Sequence, residues 1–565
     1  MSKRILIVGG VAGGASVAAR ARRIDESAEI IMFERGPNVS FSNCALPFHL
    51  SGIVENSDDL VLMHPKQFKK QYNIEARVNN EVIKIKREEK VIVVRNLVTK
   101  EEYEEAYDTL VLSPGANAIL PKSIEGIMGS NVFVIRNVVD IKKLQGYITN
   151  NDIKDVAIVG GGFIGVEVAE NLRMAGKNVS LIEALDQIMS PFDYDMAQIL
   201  HKEMMDKGVN IILSDGVKTI NEDSVELKSG KKVNAQVVVM AIGVSPETSL
   251  ARDAGLEIGE TGGIKVDHNY LTNDKDIYAV GDAIEVYNRL THKSTRLALA
   301  GPAQRQARAA ADHMYNIPHN NTGVIGSSVV QVFDLGAAST GLNEKDAKAA
   351  GISYDFVYII PGDKVGLMPE SNPMHFKLLY EYPTGRILGA QAIGKGNVDK
   401  RIDVIATMIT MGGTLEDLKE LELCYSPMFG TAKDVVNFAA LVALNVLNGK
   451  FRQVPVTKVR ELVLDGAFII DVREKGEFVT GHLKTAINIP LSELRDRVDE
   501  VPKDKPVYLH CRSSQRSYNA VMALTNMGYN NVINISGSYL GISCYEYYQD
   551  QVTAREKIVT EYNFN

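Results

Sequence analysis

Ile5-Leu6-Ile7-Val8-Gly9-Gly10-Val11-Ala12-Gly13-Gly14 is an apolar strand running into a glycine-rich turn, and Ala15–Arg23 continues with helical composition. Ile30–Phe33 reads as the next strand and ends at Glu34. This order places a pyrophosphate over a helix N-terminus and an acidic side chain on ribose hydroxyls, the dinucleotide-binding arrangement. Val11 occupies the second glycine position of the pattern. A complete copy follows: Asp155–Val159 is the strand, Gly160, Gly162 and Gly165 hold the three glycine positions, and Val179–Ile182 ends at Glu183. Two such units in one chain imply two dinucleotides, which in a redox protein are a flavin and a nicotinamide.

Working outward, Tyr107–Leu112 reads as a strand ending in the small-residue turn Ser113-Pro114-Gly115-Ala116, and Ile277–Val280 as a strand ending in Gly281-Asp282. Asp282 suits the ribityl hydroxyls of a flavin, and an N-cap role is equally good locally. Beyond residue 325 the pattern becomes strand-rich (Ser328–Phe333, Tyr354–Ile360, Met374–Tyr380, Ile387–Ile393), with helices over Lys400–Gly412 and Lys433–Leu447. No nucleotide turn occurs there, so packing and dimer contact are its expected work. After a polar break at Asn448-Gly449-Lys450, short strands (Ala467–Ile470, Ala486–Ile489, Val507–Leu509, Val532–Ile535) alternate with helical stretches, as in a small parallel sheet.

With 565 residues the chain fits roughly four domains. A net charge of −8 argues against a phosphate-tracking nucleic-acid binder, and no segment is apolar enough to span a bilayer. Met1-Ser2-Lys3-Arg4 leads straight into the first strand, leaving no room for a signal peptide. The 4 cysteines show no CxxC and no metal spacing, so no metal is expected, and a reducing cytoplasm is. Cys424 and Cys544 lack a supporting loop and read as small buried hydrophobes.

Cys44 and Cys511 read differently. Cys44 lies in Ser40-Phe41-Ser42-Asn43-Cys44-Ala45-Leu46-Pro47, shortly after the first glycine turn. Cys511 opens the loop Cys511-Arg512-Ser513-Ser514-Gln515-Arg516-Ser517, whose backbone N–H groups can ring an anionic sulfur. Arg512 and Arg516 add positive charge, and the ring is shorter than a phosphate-binding Cys-x5-Arg loop. Glu183 accepts hydroxyl bonds from NAD and repels the 2′-phosphate of NADP.

Residues 1 to about 445 resemble the pyridine nucleotide–disulfide oxidoreductases, and among them the coenzyme A disulfide reductases. The resemblance rests on the first glycine turn, the Cys44 loop, Leu112–Ala116, Gly281-Asp282, Gly394-Lys395, Asp399–Val404, Tyr425-Ser426-Pro427 and Ala432-Lys433-Asp434. Residues 455–550 resemble a rhodanese domain through Asp471-Val472-Arg473, Gly481-His482-Leu483, Ala486–Pro490 and the Cys511 loop. The fused family implies an α/β chain with two Rossmann-like domains. FAD would occupy 1–112 with 245–322, and NADH 113–244. An α+β dimerisation domain (323–447), a linker (448–456) and a rhodanese domain (457–565) would follow.

It further implies a homodimeric FAD-dependent reductase. NADH electrons pass through a single low-pKa thiol, Cys44, to coenzyme A persulfide, polysulfide or coenzyme A disulfide, and Cys511 carries sulfane sulfur. By the same resemblance the cofactor residues are Gly9, Gly14, Glu34, Arg35, Ser113, Pro114, Gly115, Gly281 and Asp282, then Gly160, Gly162, Phe163, Gly165, Glu183 and Gly243. Ser16, Arg20, Arg23, Ser40, Asn43 and Gln304 would face coenzyme A, with Lys433 and the catalytic Tyr425 reaching from the neighbouring subunit. From the sequence alone, without the resemblance, Arg20 and Arg23 read as a solvated helix face. Leu367-Met368 stands where the family commonly shows tyrosines, implying a more apolar or roomier mouth. Two other readings compete: an NADH oxidase or peroxidase cycling Cys44 through sulfenic acid, and a sulfur carrier or redox sensor. The former usually has a His near the first glycine turn, and residues 9–16 contain none.

Replacing Glu183 with Ser and adding a neighbouring Arg is expected to raise the ratio of NADPH to NADH oxidation. Steady-state rates with the two nucleotides check this, and an unchanged ratio counts against it.

Overall fold

The computed structural model describes residues 3–564, so the Met1-Ser2 part of the N-terminal reading lies outside it. Contacts divide the chain into two units, residues 1–184 with 215–324, and residues 185–214 with 325–565.

In the first unit, strands Arg4–Val8, Glu29–Glu34, Glu75–Val78, Thr109–Leu112 and Ile277–Ala279 form one parallel sheet, with Arg4–Val8 central between Thr109–Leu112 and Glu29–Glu34. Its central strands are apolar on both faces, as covered parallel strands are; Ile5, Leu6 and Ile7 are fully buried. One face is closed by helices Ala12–Ile24 and Ala300–Met314, whose small residues Ala18, Ala21, Ala307 and Ala310 allow close approach. A second parallel sheet orders Asn178–Ile182, Asp155–Val159, Val237–Met240 and Val132–Phe133. Both sheets feed their first helix through the same tight contact. A Cβ on Gly14 would lie 1.9 Å from the Gly9 carbonyl oxygen, and one on Gly165 1.9 Å from that of Gly160. Only glycine lets each helix begin directly above its strand.

In the second unit, Ser328–Val332, Leu335–Gly341, Ile387–Gly394, Met374–Glu381 and Tyr354–Ile359 form an antiparallel sheet in that order. Helices Val398–Met411 and Val435–Leu447 accompany it. Strands Gln453–Val454, Val532–Ile535, Val507–His510, Phe468–Asp471 and Ala486–Asn488 form a parallel sheet in that order. Two boundaries differ from those read in the sequence. Gln453–Val454, inside the expected linker, pairs with Asn534–Ile535, and Phe451 beside it is buried, so this apolar stretch is pinned rather than free. Residues 185–214, inside the expected NAD-binding stretch, group with the second unit.

A buried cation is one of the ties that join residues 185–214 to the second unit. Lys377 on the sheet is 1% exposed. Its Nζ lies 2.9 Å from both Asp195 oxygens, 3.1 Å from Asp193 and 2.5 Å from Glu344. Gln391 ties Asp193 further, donating from Nε2 at 2.7 Å and accepting its backbone N–H at 2.8 Å. Three carboxylates this close would hold a metal ion, but the ammonium fills their centre. Burial disfavours the Lys377 charge, yet the carboxylates outweigh it and hold the ammonium above its usual range.

Lys377→Met keeps the aliphatic stem and strands the carboxylates. It is expected to cost about 3–5 kcal/mol, read as a fall in the denaturant midpoint. A midpoint equal to that of the unsubstituted protein would show that the pair does not hold residues 185–214 in place.

Candidate functional site

Cys44 is carried on a short 3-10 turn, Asn43–Ala45, directly before Pro47–His49. The loop is anchored to the first glycine turn: Ser40 N–H donates to the Gly10 carbonyl at 2.8 Å, with Ser40 at φ 48°. The Pro47–His49 turn packs on the helix Phe163–Met174, which starts at the second glycine turn, and Ser51 Oγ donates to Asn171 Oδ1 at 2.6 Å. The thiol and both glycine turns therefore belong to one assembly within the first unit.

The polypeptide by itself opposes the low-pKa thiolate implied by the family resemblance. Cys44 is exposed, yet desolvation of its sulfur, then the Glu167 and Asp282 carboxylates, push the thiol up. Glu167 is itself pushed up to about 7 by burial and the Glu170 charge. Burial also raises Asp282, with Arg136 at 3.9 Å opposing it. Sequence reasoning missed Glu167. Its signal was a carboxylate one helical turn after Phe163.

The residues expected around two dinucleotides form cradles that fit them. Gly10 N–H donates to Glu34 at 3.0 Å and Gly161 N–H to Glu183 at 2.6 Å, so each acid stands beside its turn. A Cβ on Gly162 or Gly115 would meet open space, and Phe163 begins its helix half-buried. Ser113 N–H donates to the Val8 carbonyl at 2.8 Å and Pro114 follows it. Gly281 N–H donates to Gln306 at 2.7 Å beside Asp282. Near Asp282, Arg136 Nε is buried without a partner, as a polar ligand would require. Gly243 has φ 111°, and Arg35 is exposed, reaching Asn117 at 3.2 Å.

Five of the six residues expected to face coenzyme A from within one chain meet in a single groove of about 510 Å³: Ser16, Arg20, Arg23, Ser40 and Gln304. Arg305 and Arg308 join them and make it more basic. Ser16 Oγ donates to Gln304 at 2.8 Å, and Asp312 accepts from Arg20 Nε at 2.6 Å, so Arg20 is half-buried and paired rather than a loose surface charge. Asn43 does not line the groove but neighbours Cys44 and is exposed. Tyr425 and Lys433 belong to the second unit; Tyr425 is half exposed, and Lys433 lies 5.9 Å from the Phe438 ring. Cys424, expected to be buried, is exposed because it shares the irregular stretch that carries Tyr425. Cys544 is buried, its thiol pushed up to about 12.

Cys511 is 1% exposed. The strand Val507–His510 delivers it and the helix Gln515–Asn526 leaves its loop. Ser517 and Ser538 hydroxyls lie 3.6 and 3.9 Å from its sulfur. Arg516 is held by Glu477 at 2.6 and 2.7 Å, and Arg512 stands near His375 of the antiparallel sheet, whose imidazole burial keeps neutral. Beneath the loop, Arg473 grips Asp471 through Nε at 3.0 Å and Nη2 at 2.6 Å. Burial works against the Asp471 charge, but His510 and Arg473 outweigh it and hold the carboxyl low.

Comparison with known proteins agrees with this division of labour. Residues 3–307 match the pyridine nucleotide-disulphide oxidoreductases, 327–434 the dimerisation domain of that family, and 456–543 the rhodanese-like domain. A coenzyme A disulfide reductase of Staphylococcus epidermidis is 33% identical over 435 residues, 77% of this chain and 98% of that protein. The structure of reduced Bacillus anthracis CoADR-RHD superposes with a TM-score of 0.93 at 43% identity, covering 96% of this chain and 98% of that one. A NAD-dependent persulfide reductase from A. fulgidus gives 0.91 at 33% identity, covering 95% and 99%. The chain belongs to the pyridine nucleotide-disulphide oxidoreductase family.

Glu167→Gln removes the negative charge that Cys44 meets. Peptide-resolved alkylation of Cys44 is expected to run roughly two- to tenfold faster in the variant above the titration of Glu167 at about 7. Below that pH, where Glu167 is already neutral, the two rates converge. Equal rates at all pH values would remove Glu167 from the site.

Proposed function

We propose that this member of the family is a FAD-dependent reductase that passes NADH electrons through Cys44 to sulfur held on coenzyme A, and that its rhodanese part carries sulfane sulfur on Cys511. The observation that carries the reading is the loop shared by thiol and groove: Ser40 lines the arginine-rich cavity and Cys44 stands four residues further on. A phosphorylated thiol carrier matches that charge. The relatives' names, a coenzyme A disulfide reductase and a persulfide reductase, supply the same chemistry.

In net form, NADH, a proton and coenzyme A persulfide give NAD⁺, coenzyme A and hydrogen sulfide. A flavin bound along the first glycine turn supplies hydride uptake from the nicotinamide and an electron pair for sulfur. Glu34 and Glu183 hold ribose hydroxyls, and the helices starting at Ala12 and Phe163 face pyrophosphates with their N-termini. Cys44 needs no second cysteine, because coenzyme A supplies the other sulfur. Its thiolate attacks the carrier's sulfur, a mixed disulfide with coenzyme A forms, and hydrosulfide leaves readily near neutral pH.

In the homodimer implied by the resemblance, Tyr425 and Lys433 of one subunit face the Cys44 groove of the other. The phenol then donates to a departing sulfur. Leu367, 87% exposed, and Met368 give that mouth an apolar rim, which favours a small persulfide or polysulfide over bulky coenzyme A disulfide.

NADH oxidation should be compared with coenzyme A persulfide, coenzyme A disulfide, polysulfide and oxygen. Cys44→Ser is expected to abolish turnover with each sulfur compound, and Cys511→Ser to abolish sulfur labelling of the rhodanese part. Undiminished turnover in Cys44→Ser would sink the reading, and a preference for oxygen would replace it with the oxidase.

A further inference from the structure

Two serines beside Cys511 adopt backbone conformations that serine seldom takes. Ser514 has φ 76° and Ser538 φ 49°. Ser514 belongs to the cysteine loop, whereas Ser538 begins the helix Ser538–Thr553, after the strand Val532–Ile535. A left-handed side chain is disfavoured by its Cβ, and it persists only where the surroundings over-determine it. At Ser538 they do. A Cβ on Gly537 would meet Cε1 of the Tyr358 ring at 2.6 Å. Ser536 Oγ donates to the Tyr358 carbonyl at 3.1 Å, and the Tyr358 hydroxyl is bonded to His375 Nδ1 at 2.5 Å. The antiparallel sheet fixes the turn, and the turn fixes the serine.

The strained conformation places one hydroxyl. Ser538 Oγ accepts from Cys511 N–H at 3.2 Å and from Ser514 Oγ at 3.1 Å, and lies 3.9 Å from the Cys511 sulfur. Ser514 Oγ and Ser538 Oγ both reach the Ile535 carbonyl at 3.4 Å; while Ser514 donates to Ser538, the acceptors within reach of the Ser538 proton are that carbonyl and the Cys511 sulfur. Ser517 Oγ lies nearer the sulfur, at 3.6 Å, but its closest acceptor is Asn534 Oδ1 at 2.6 Å. Ser517 and Ser538 are fully buried, which keeps bulk water from replacing them. A sulfur that gains negative charge needs a donor, and rotation of the Ser538 O–H supplies one without moving a heavy atom.

We infer that Ser538 is a positioning residue for Cys511: it anchors the cysteine's N–H and turns its proton onto the sulfur when that sulfur is a thiolate or persulfide anion. The inference rests on Cys511 being the sulfur carrier. In that step the Cys511 thiolate attacks the outer sulfur of a persulfide R–S–SH. A new S–S bond forms to Cys511, the old S–S bond breaks and R–S⁻ leaves, with no net electron transfer.

Two variants test it in the full-length chain. Ser538→Gly removes the hydroxyl and the strain together, and its thermal midpoint is expected to equal or exceed that of the unsubstituted protein; Ser538→Ala removes the hydroxyl alone. Peptide-resolved mass spectrometry would follow persulfide transfer from glutathione persulfide to Cys511, and its alkylation by iodoacetamide across pH. Both variants are expected to take sulfur about tenfold more slowly, with their alkylation profiles displaced to higher pH. Profiles matching the unsubstituted protein in both variants would overturn the inference. If the unsubstituted chain takes no sulfur at Cys511 while the variant profiles still shift, the sulfur-carrier reading fails and the hold of Ser538 on the thiolate stands.

Discussion

The first unit depends on two near-collisions between a strand end and a helix start. Gly14 over Gly9 and Gly165 over Gly160 leave no room for a β-carbon, and this forces each helix to point its first N–H groups at the space where a phosphate belongs. The rest follows from that constraint. The loop of Cys44 hangs from Gly10 through the Ser40 bond, and the helix after Gly165 brings Glu167 toward the thiol. One steric rule, applied twice, thus assembles two nucleotide cradles and a cysteine in register.

The second unit is organised by buried polar groups instead. Lys377 gathers three carboxylates. His201, kept neutral by burial with its titration near 3, accepts the Ile188 N–H at 3.1 Å. Tyr358 then links the same sheet to the turn behind Cys511. Each of these groups is costly to bury alone and stable once paired, so each fixes a single arrangement of the segments it joins.

Much of this was legible in the chain. The strands at 4–8, 155–159, 507–510 and 532–535 follow from apolar runs ending in glycine or loop residues, and their observed bounds differ from the reading by at most one residue. The groove residues were legible through family motifs. What escaped was non-local. Asp195 and Lys377 lie 182 positions apart, and no periodicity in either segment announces their pairing. Ser538 is, in the sequence, one more small residue after a glycine, and its φ of 49° sets it apart. Glu167 escaped because its role depends on which helix face turns toward Cys44. The two-residue strand at 453–454 escaped because it follows directly on a polar break.

Cys44 and Cys511 also differ in how they would age. Cys511 is buried, so its sulfur offers little surface to an oxidant in solution. Cys44 is open to solvent, and its neighbours hold it protonated. Because peroxide consumes thiolates rather than thiols, the carboxylates that hinder Cys44 at rest also shield it from irreversible over-oxidation until a substrate arrives.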